Sequence, residues 1–296
     1  MFKGKVFITI LMTITFIVSS LFSNNIIISH LHHFSKTTIQ SGKEKSNKSI
    51  MCNSYPTTQN ELKGIDEDIN YIRKKYDRKL SPREVFLTFD DGPSPVNTLR
   101  ILEVLKRYNV KATFFIIGKH ADEHPDILKR VKREGMCVAP HTYSHNYKIY
   151  RSEKAYFDDY EACNNAIMKI TGSDTVSFLR LPGGSTIQVS NKAVMKEIKT
   201  RLINNNVKYV DWNVSSADAA MDTVPAALIK NNVISQCKGK NFVVILMHDS
   251  NTKTTTVEAL PDIIEYLKDN GYAFKTFENV TSTEERQMNK LRIINR

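Results

Sequence analysis

Val85-Phe86-Leu87-Thr88-Phe89-Asp90-Asp91-Gly92-Pro93 decides the fold of this chain. An apolar run of strand length ends abruptly on two carboxylates and a Gly-Pro turn, the signature of a buried strand with polar groups at its tip. Taken alone, Asp-Asp-Gly-Pro is an ordinary turn, since all its residue types favour turns. The rest of the chain gives it meaning. Apolar runs recur at Thr113–Gly118, Met136–Ala139, Val176–Leu181, Lys208–Trp212, Phe242–Met247 and Tyr272–Phe277. Between them lie segments with helical periodicity: Thr98–Tyr108, His124–Glu134, Lys154–Ile170, Asn191–Asn204, Pro225–Cys237 and Val257–Asn270. Gly135, Gly172, Gly239 and Gly271 stand near helix ends, where glycine stops a helix. Strands alternating with helices imply parallel strands joined by crossovers. About seven such strands predict an α/β fold, a barrel or incomplete barrel, with an open doubly wound sheet as the alternative of the same local pattern.

Reactive side chains gather at the C-terminal ends of these strands. Asp90 and Asp91 follow the first, His141 and His145 the third, and Arg180 ends the fourth. Asp211 and Trp212 end the fifth, and His248 and Asp249 follow the sixth. That edge is where parallel α/β proteins build active sites. Two neutral imidazoles and one carboxylate make a three-ligand set with open positions, as a catalytic metal requires. No Glu follows His141, so the pair is not the metalloprotease helix motif. His30, His32, His33, His120 and His124 have no comparable placement and receive no role.

Taken in order, Thr88-Phe89-Asp90-Asp91-Gly92, His141-Thr142-Tyr143-Ser144-His145, Arg180-x-Pro182-Gly183, Asp211-Trp212 and Leu246-Met247-His248 resemble the motifs of the polysaccharide deacetylases. These are the NodB-homology domains of carbohydrate esterase family 4. The resemblance spans about residues 82–280 and implies a distorted, incomplete (β/α) barrel. It also implies roles. Asp91, His141 and His145 would bind one divalent metal, usually zinc, with cobalt or another divalent ion able to replace it. Asp90 would be the general base, oriented by Arg180. His248 would be the general acid, paired with Asp211. Trp212 and Leu246 would line the pocket for the acetyl methyl group, and a backbone N–H near Gly183 would help stabilise the oxyanion. Many members carry an aromatic residue where this chain has Gly183, so one wall of the sugar site differs.

The remaining sequence bounds location. The chain has 296 residues, 41% of them hydrophobic, and a formal net charge of +11. Lys3 and Lys5 precede an uncharged run from Val6 to Phe22, and the next basic residue is Lys36. This predicts a signal anchor over residues 1–29 with the N-terminus inside, the alternative being a cleaved secretion signal. Residues 30–80 read as a polar basic stem, with a charged helix over Glu61–Leu80. The catalytic domain is expected over residues 81–280 and a polar tail over 281–296. The basic stem suits an anionic lipid or wall surface, and no basic stripe interleaved with aromatics points to nucleic acid. Cys52, Cys137, Cys163 and Cys237 lack CxxC spacing, and Cys137 and Cys163 read as buried thiols. The expected protein is therefore a membrane-anchored, outward-facing, metal-dependent N-deacetylase with a monomeric catalytic domain. Its expected substrate is a cell-wall polysaccharide, peptidoglycan N-acetylglucosamine before chitin-type oligosaccharides, exopolysaccharide or O-acetylated xylan. A non-catalytic wall-binding protein is the reading from another class.

Overall fold

A computed structural model describes residues 83–296. The expected anchor, the stem and the helix over Glu61–Leu80 lie outside the described residues. No helix among the described residues is long and apolar enough to cross a membrane.

The run from Val85 to Asp90 lies in β1 (Arg83–Asp90), the centre of a parallel sheet. Around it stand β2 (Thr113–Ile116), β3 (Cys137–Pro140), β6 (Val214–Ser215) and β7 (Phe242–His248), in the order β3-β2-β1-β7-β6. Strand β8 (Tyr272–Lys275) pairs with Arg83–Phe86, below the stretch Thr88–Asp90 that pairs with β2. The sheet therefore splits at one edge of β1. A separate parallel pair, β4 (Phe178–Leu179) and β5 (Lys208–Tyr209), stands beyond β3. The crossovers are α1 (Asn97–Arg107), the short α2 (Gly118–Glu123), α3 (Pro125–Arg133), α4 (Glu153–Thr171), α5 (Lys192–Asn204), α6 (Ala226–Cys237) and α7 (Thr254–Asp269).

The parallel α/β expectation holds, with two corrections to the strand plan. The fifth strand stops at Tyr209 rather than Trp212, because the Val210 main chain turns to an antiparallel bridge with Ile294. Its continuation is a separate strand, β6, on the edge of β7. The supposed polar tail is also ordered. Helix α8 (Ser282–Lys290) opens on a capping box, in which Thr281 and Glu284 bond reciprocally. Met288, Ile293 and Ile294 then bury themselves inside the sheet's concave face beside Phe86, Phe178 and Phe277.

Period-two alternation sorts the strand residues into two faces. Leu87, Phe89, Ile245 and Met247 face outward and pack under the helices. Inward run Phe86, Thr88 and Asp90 on β1, and Val244, Leu246 and His248 on β7. Each inner row is apolar at the bottom and polar at the top. The lower half is core, plugged by the C-terminal segment, and the upper half is the site. A third cluster, with Tyr150, Tyr156, Leu179, Leu202 and Tyr209, packs α4 and α5 against the short β4–β5 pair. Cys137 and Cys163 are buried as expected, Cys237 is buried as well, and all three are free; burial pushes their thiols up to about 12, 12 and 11 respectively.

Candidate active site

Asp90 ends β1 on its inner face, and its Oδ1 lies 2.7 Å from Nη1 of Arg180. Arg180 follows β4 and is 0% exposed. Its guanidinium also donates to Thr88 Oγ1 at 2.8 Å, to the Val210 carbonyl at 3.1 Å and to the Asp211 carbonyl at 3.4 Å. The Phe115 ring lies 4.2 Å beneath it. A buried cation held by four hydrogen bonds over an aromatic ring has little freedom to swing, so it fixes the Asp90 carboxylate in place.

The neighbouring carboxylate points elsewhere. Asp91 takes a left-handed backbone conformation, φ 78°, which carries its side chain toward the β3 loop. Its Oδ1 lies 3.6 Å from His141 Nε2 and 3.4 Å from His145 Nε2. The ligand atoms of the three residues all fall within 4.8 Å of one another. His141 donates from Nδ1 to the Arg180 carbonyl at 2.7 Å, which leaves Nε2 as the lone-pair nitrogen. Burial lowers the His141 pKa, so the ring is held in the neutral form that coordinates metals. Asp91 Oδ1 is buried and accepts no hydrogen bond among the described residues. An unsatisfied buried carboxylate oxygen facing two imidazole nitrogens fits a divalent cation. His120, unassigned from sequence, places Nδ1 2.8 Å from the Asp91 carbonyl and so braces the turn. Gly92 is required here, because a Cβ on it would sit 2.1 Å from Asp249 Oδ2.

On the other side of Asp90 stands His248, paired with Asp90 across β1 and β7. The expected partnership with Asp211 is not formed. His248 Nδ1 lies 2.7 Å from Oδ1 of Asp218, a residue that sequence reasoning misses. Asp218 follows β6, whose Ser215 pairs with Leu246, so β6 delivers it to the end of β7. Its carboxylate also accepts from Ser216 Oγ, Thr256 Oγ1 and the His248 amide, each at 2.8 Å. The buried Lys253 ammonium donates to the carbonyls of Asp218, Met221 and Asp222 and clasps this turn. Burial disfavours both charges, but the pair outweighs it. The Asp218 carboxyl is held below its usual range, and His248 rises to about 9, with Asp90 and Asp91 adding to the pull. The imidazole therefore carries a proton at neutral pH, with Nε2 left for another partner. No strand or helix pattern marks Asp218; its only sequence signal is an acidic residue in the loop after a site-forming strand.

Asp211 does something else. Its carboxylate accepts the Ser185 amide at 2.9 Å and the Ser185 hydroxyl at 2.6 Å, closing the Leu181–Ser185 turn. This follows from the early end of β5, which turns Asp211 toward the β4 loop. Trp212 is half-buried, with its ring 5.6 Å from the Arg180 guanidinium and against Gly184. Leu246 lies on the inner face opposite Thr88, one step below His248. Gly183 has φ 77°, and a Cβ there would sit 2.1 Å from Ile187 Cδ1 and 3.2 Å from the Tyr147 hydroxyl. The space an aromatic residue would need at 183 is taken by those two side chains. The Gly183 amide makes no hydrogen bond among the described residues.

Comparison with known proteins agrees with this geometry. A family model described as polysaccharide deacetylase matches residues 77–203. A peptidoglycan-N-acetylglucosamine deacetylase of Bacillus cereus is 34% identical over 65% of this chain and 68% of its own. A chitooligosaccharide deacetylase of Rhizobium leguminosarum is 30% identical over 66% of this chain and 90% of its own. Among solved structures, the catalytic domain of a peptidoglycan N-acetylglucosamine deacetylase from Eubacterium rectale superposes with a TM-score of 0.62. It is 37% identical and covers 68% of this chain and 90% of that one. With ordered motifs, a matching fold and relatives of this similarity, the chain belongs to the polysaccharide deacetylase family.

Proposed function

We propose that this chain hydrolyses N-acetyl groups on a cell-wall polysaccharide, N-acetylglucosamine residues of peptidoglycan before all others, releasing acetate and a free amine. The observation that carries this reading is the flanking of Asp90. The ligand set Asp91, His141 and His145 lies on one side of it and a proton-bearing His248 on the other. Hydrolysis of an amide needs a base for water and an acid for the amine, and this arrangement supplies one of each. Asp90, immobilised by Arg180, takes the proton of the attacking water. The free Gly183 amide is a donor for the oxygen that gains charge. His248 gives its Nε2 proton to the leaving nitrogen, while Asp218 holds the ring by Nδ1. Trp212 and Leu246 offer apolar contact to the acetyl methyl group. A divalent ion held by Asp91, His141 and His145, zinc in this reading, supplies Lewis acidity toward water and the acetamide carbonyl.

The same reading makes residues 1–29 a membrane anchor and residues 30–80 a stem carrying a monomeric catalytic domain outside the cell. Its support is the sequence pattern of Lys3, Lys5 and the uncharged run behind them. The test is acetate release from purified peptidoglycan and from chitooligosaccharides, with added zinc and with a chelator. Chelator-sensitive release from peptidoglycan is the expected result. Release from chitooligosaccharides alone would discard the preferred substrate, and release that chelation never affects would discard the metal.

A further inference from the structure

A groove of about 660 Å³ runs from the Ser185–Ile187 loop along α5. Three lysines, Lys192, Lys196 and Lys199, line it, and no carboxylate does. Spacings of four and three residues put all three on one face of the helix. Lys192 and Lys196 are exposed and form no ion pair among the described residues, while Lys199 donates to the Arg296 main-chain oxygen at 2.9 Å. Glu197 and Glu153 lie in a neighbouring depression, beyond the ridge made by Lys196. The groove thus carries two positive charges, on Lys192 and Lys196, with no ion-pair partner among the described residues.

One end of it borders the site. The ring of the metal-ligand candidate His145 lies 6.0 Å from that of Tyr147. The Tyr147 hydroxyl and Ile187 both lie against Gly183, and Ile187 is a wall of the groove. Ser185, which opens the groove, is tied to Asp211 beside Arg180. A glycan that presents an acetamide to Asp90 and continues past Gly183 and Ile187 would enter among lysines.

We propose that this groove binds carboxylates carried by the glycan strand, on the sugar next to the one being deacetylated. This rests on the hydrolytic reading above and extends it to substrate choice. In peptidoglycan every second sugar bears a lactyl ether carboxyl group, free or extended by a peptide that ends in carboxylates. A chitin-type oligomer bears none. The lysines would then favour the charged strand through attraction that is weak per pair, additive over the groove and reduced by salt.

The test uses the full chain and the double charge reversal Lys192→Glu with Lys196→Glu. Both side chains are exposed, so thermal midpoints should agree. Acetate release is measured on three glycans of equal length: a neutral N-acetylglucosamine oligomer, a strand with bare lactyl groups, and a peptide-bearing strand. The reversal should lower the charged-to-neutral ratio of kcat/KM about tenfold, and high salt should lower the wild-type ratio in the same direction. Loss on the bare strand assigns the lactyl carboxylate, and loss on the peptide strand alone assigns the peptide. An unchanged ratio on both overturns the proposal. Calorimetric binding of the same glycans reads the groove apart from turnover. If no glycan releases acetate but the charged strand binds and the reversal abolishes it, the groove stands and the hydrolytic reading falls. Equal binding to both proteins sinks the groove whatever the turnover.

Discussion

Replacing Asp218 by Asn separates the observed histidine partner from the expected one. The amide oxygen of the substituted side chain can still accept the His248 Nδ1 proton, but the negative charge is gone. Burial alone disfavours the imidazolium, and it is the Asp218 hydrogen bond and charge that bring His248 up to about 9. Without them burial is opposed only by Asp90 and Asp91, and the ring should fall toward its ordinary value of 6.5. At pH 8, a group titrating at about 9 is roughly nine-tenths protonated, and one at 6.5 about one-thirtieth. Loss of the acid form alone therefore costs about 30-fold in kcat/KM at that pH. A cation at Asp91 would cancel that residue's share of the pull and move both proteins' alkaline limbs down together, leaving their separation intact. The assay is the pH profile of acetate release between pH 5 and 10. The variant's alkaline limb should move by two pH units or more, and its deficit should shrink toward pH 6. Asp211→Asn is the control: its carboxylate serves Ser185, so its limb should stay with wild type. A limb that moves for Asp211→Asn, or stays put for Asp218→Asn, would refute the pairing and the acid role together.

Other perturbations test the remaining parts. Arg180→Met strands a buried Asp90 carboxylate and should cost about 3–5 kcal/mol by denaturant unfolding, with acetate release lost; Arg180→Lys should not rescue it, since one ammonium cannot reach Thr88, Asp90 and Val210 at once. His141→Ala should abolish stoichiometric zinc uptake in equilibrium dialysis, whereas His120→Ala, which braces Asp91 only through its carbonyl, should weaken it by about tenfold or more. Met288 is fully buried in the C-terminal plug, so Met288→Ala should lower unfolding free energy by about 2–5 kcal/mol. For the His248–Asp218 pair the linkage runs one way. The folded pKa of His248 lies above the unfolded value, so its contribution is complete below about pH 6.5 and fades as pH rises through about 9. The stability gap between wild type and Asp218→Asn should narrow accordingly between pH 6 and pH 10.

Much of the candidate site is legible in the sequence because its signals are local. An apolar strand that ends on Asp90-Asp91-Gly92 states its own boundary, and strand tips share one edge in any parallel sheet. Asp90, Asp91, His141, His145, Arg180 and His248 all follow from that rule. Pairings across space are different. Which acid meets His248 depends on β6 lying beside β7 rather than continuing β5, a strand order that no local pattern encodes. Asp211 looks right in sequence because it directly precedes the tryptophan at an apparent strand end; the strand in fact yields at Val210 to a bridge with Ile294, eighty-four residues away. The C-terminal segment misleads for a simpler reason. Its helix buries one large apolar side chain, Met288, so polar composition masks the Thr281-x-x-Glu284 capping signal that is present.

The metal-ligand candidates stand on backbone that the fold holds under tension. Asp91, Thr142 and His145 all have positive φ, at 78°, 67° and 52°. Asp and His visit this region at modest cost, but a β-branched residue does so rarely, and such strain is worth about 1–3 kcal/mol. Thr142 also has a buried hydroxyl with no partner among the described residues. A residue with two penalties keeps its conformation only where its neighbours over-determine it. Here they do. The Asp91 amide donates to the Phe115 carbonyl at 3.2 Å, and the Gly118 amide donates to the Thr142 carbonyl at 3.0 Å. Asp159, on α4, accepts the amides of Tyr143 and Ser144 at 2.7 and 3.0 Å. These bonds come from β2, α2 and α4, so three separate elements hold the β1 and β3 loops in register. The convergence of the two imidazoles and the Asp91 carboxylate is consequently imposed by the protein's own hydrogen bonds, and the fold has already met the ordering cost that a flexible ligand set would charge to metal affinity.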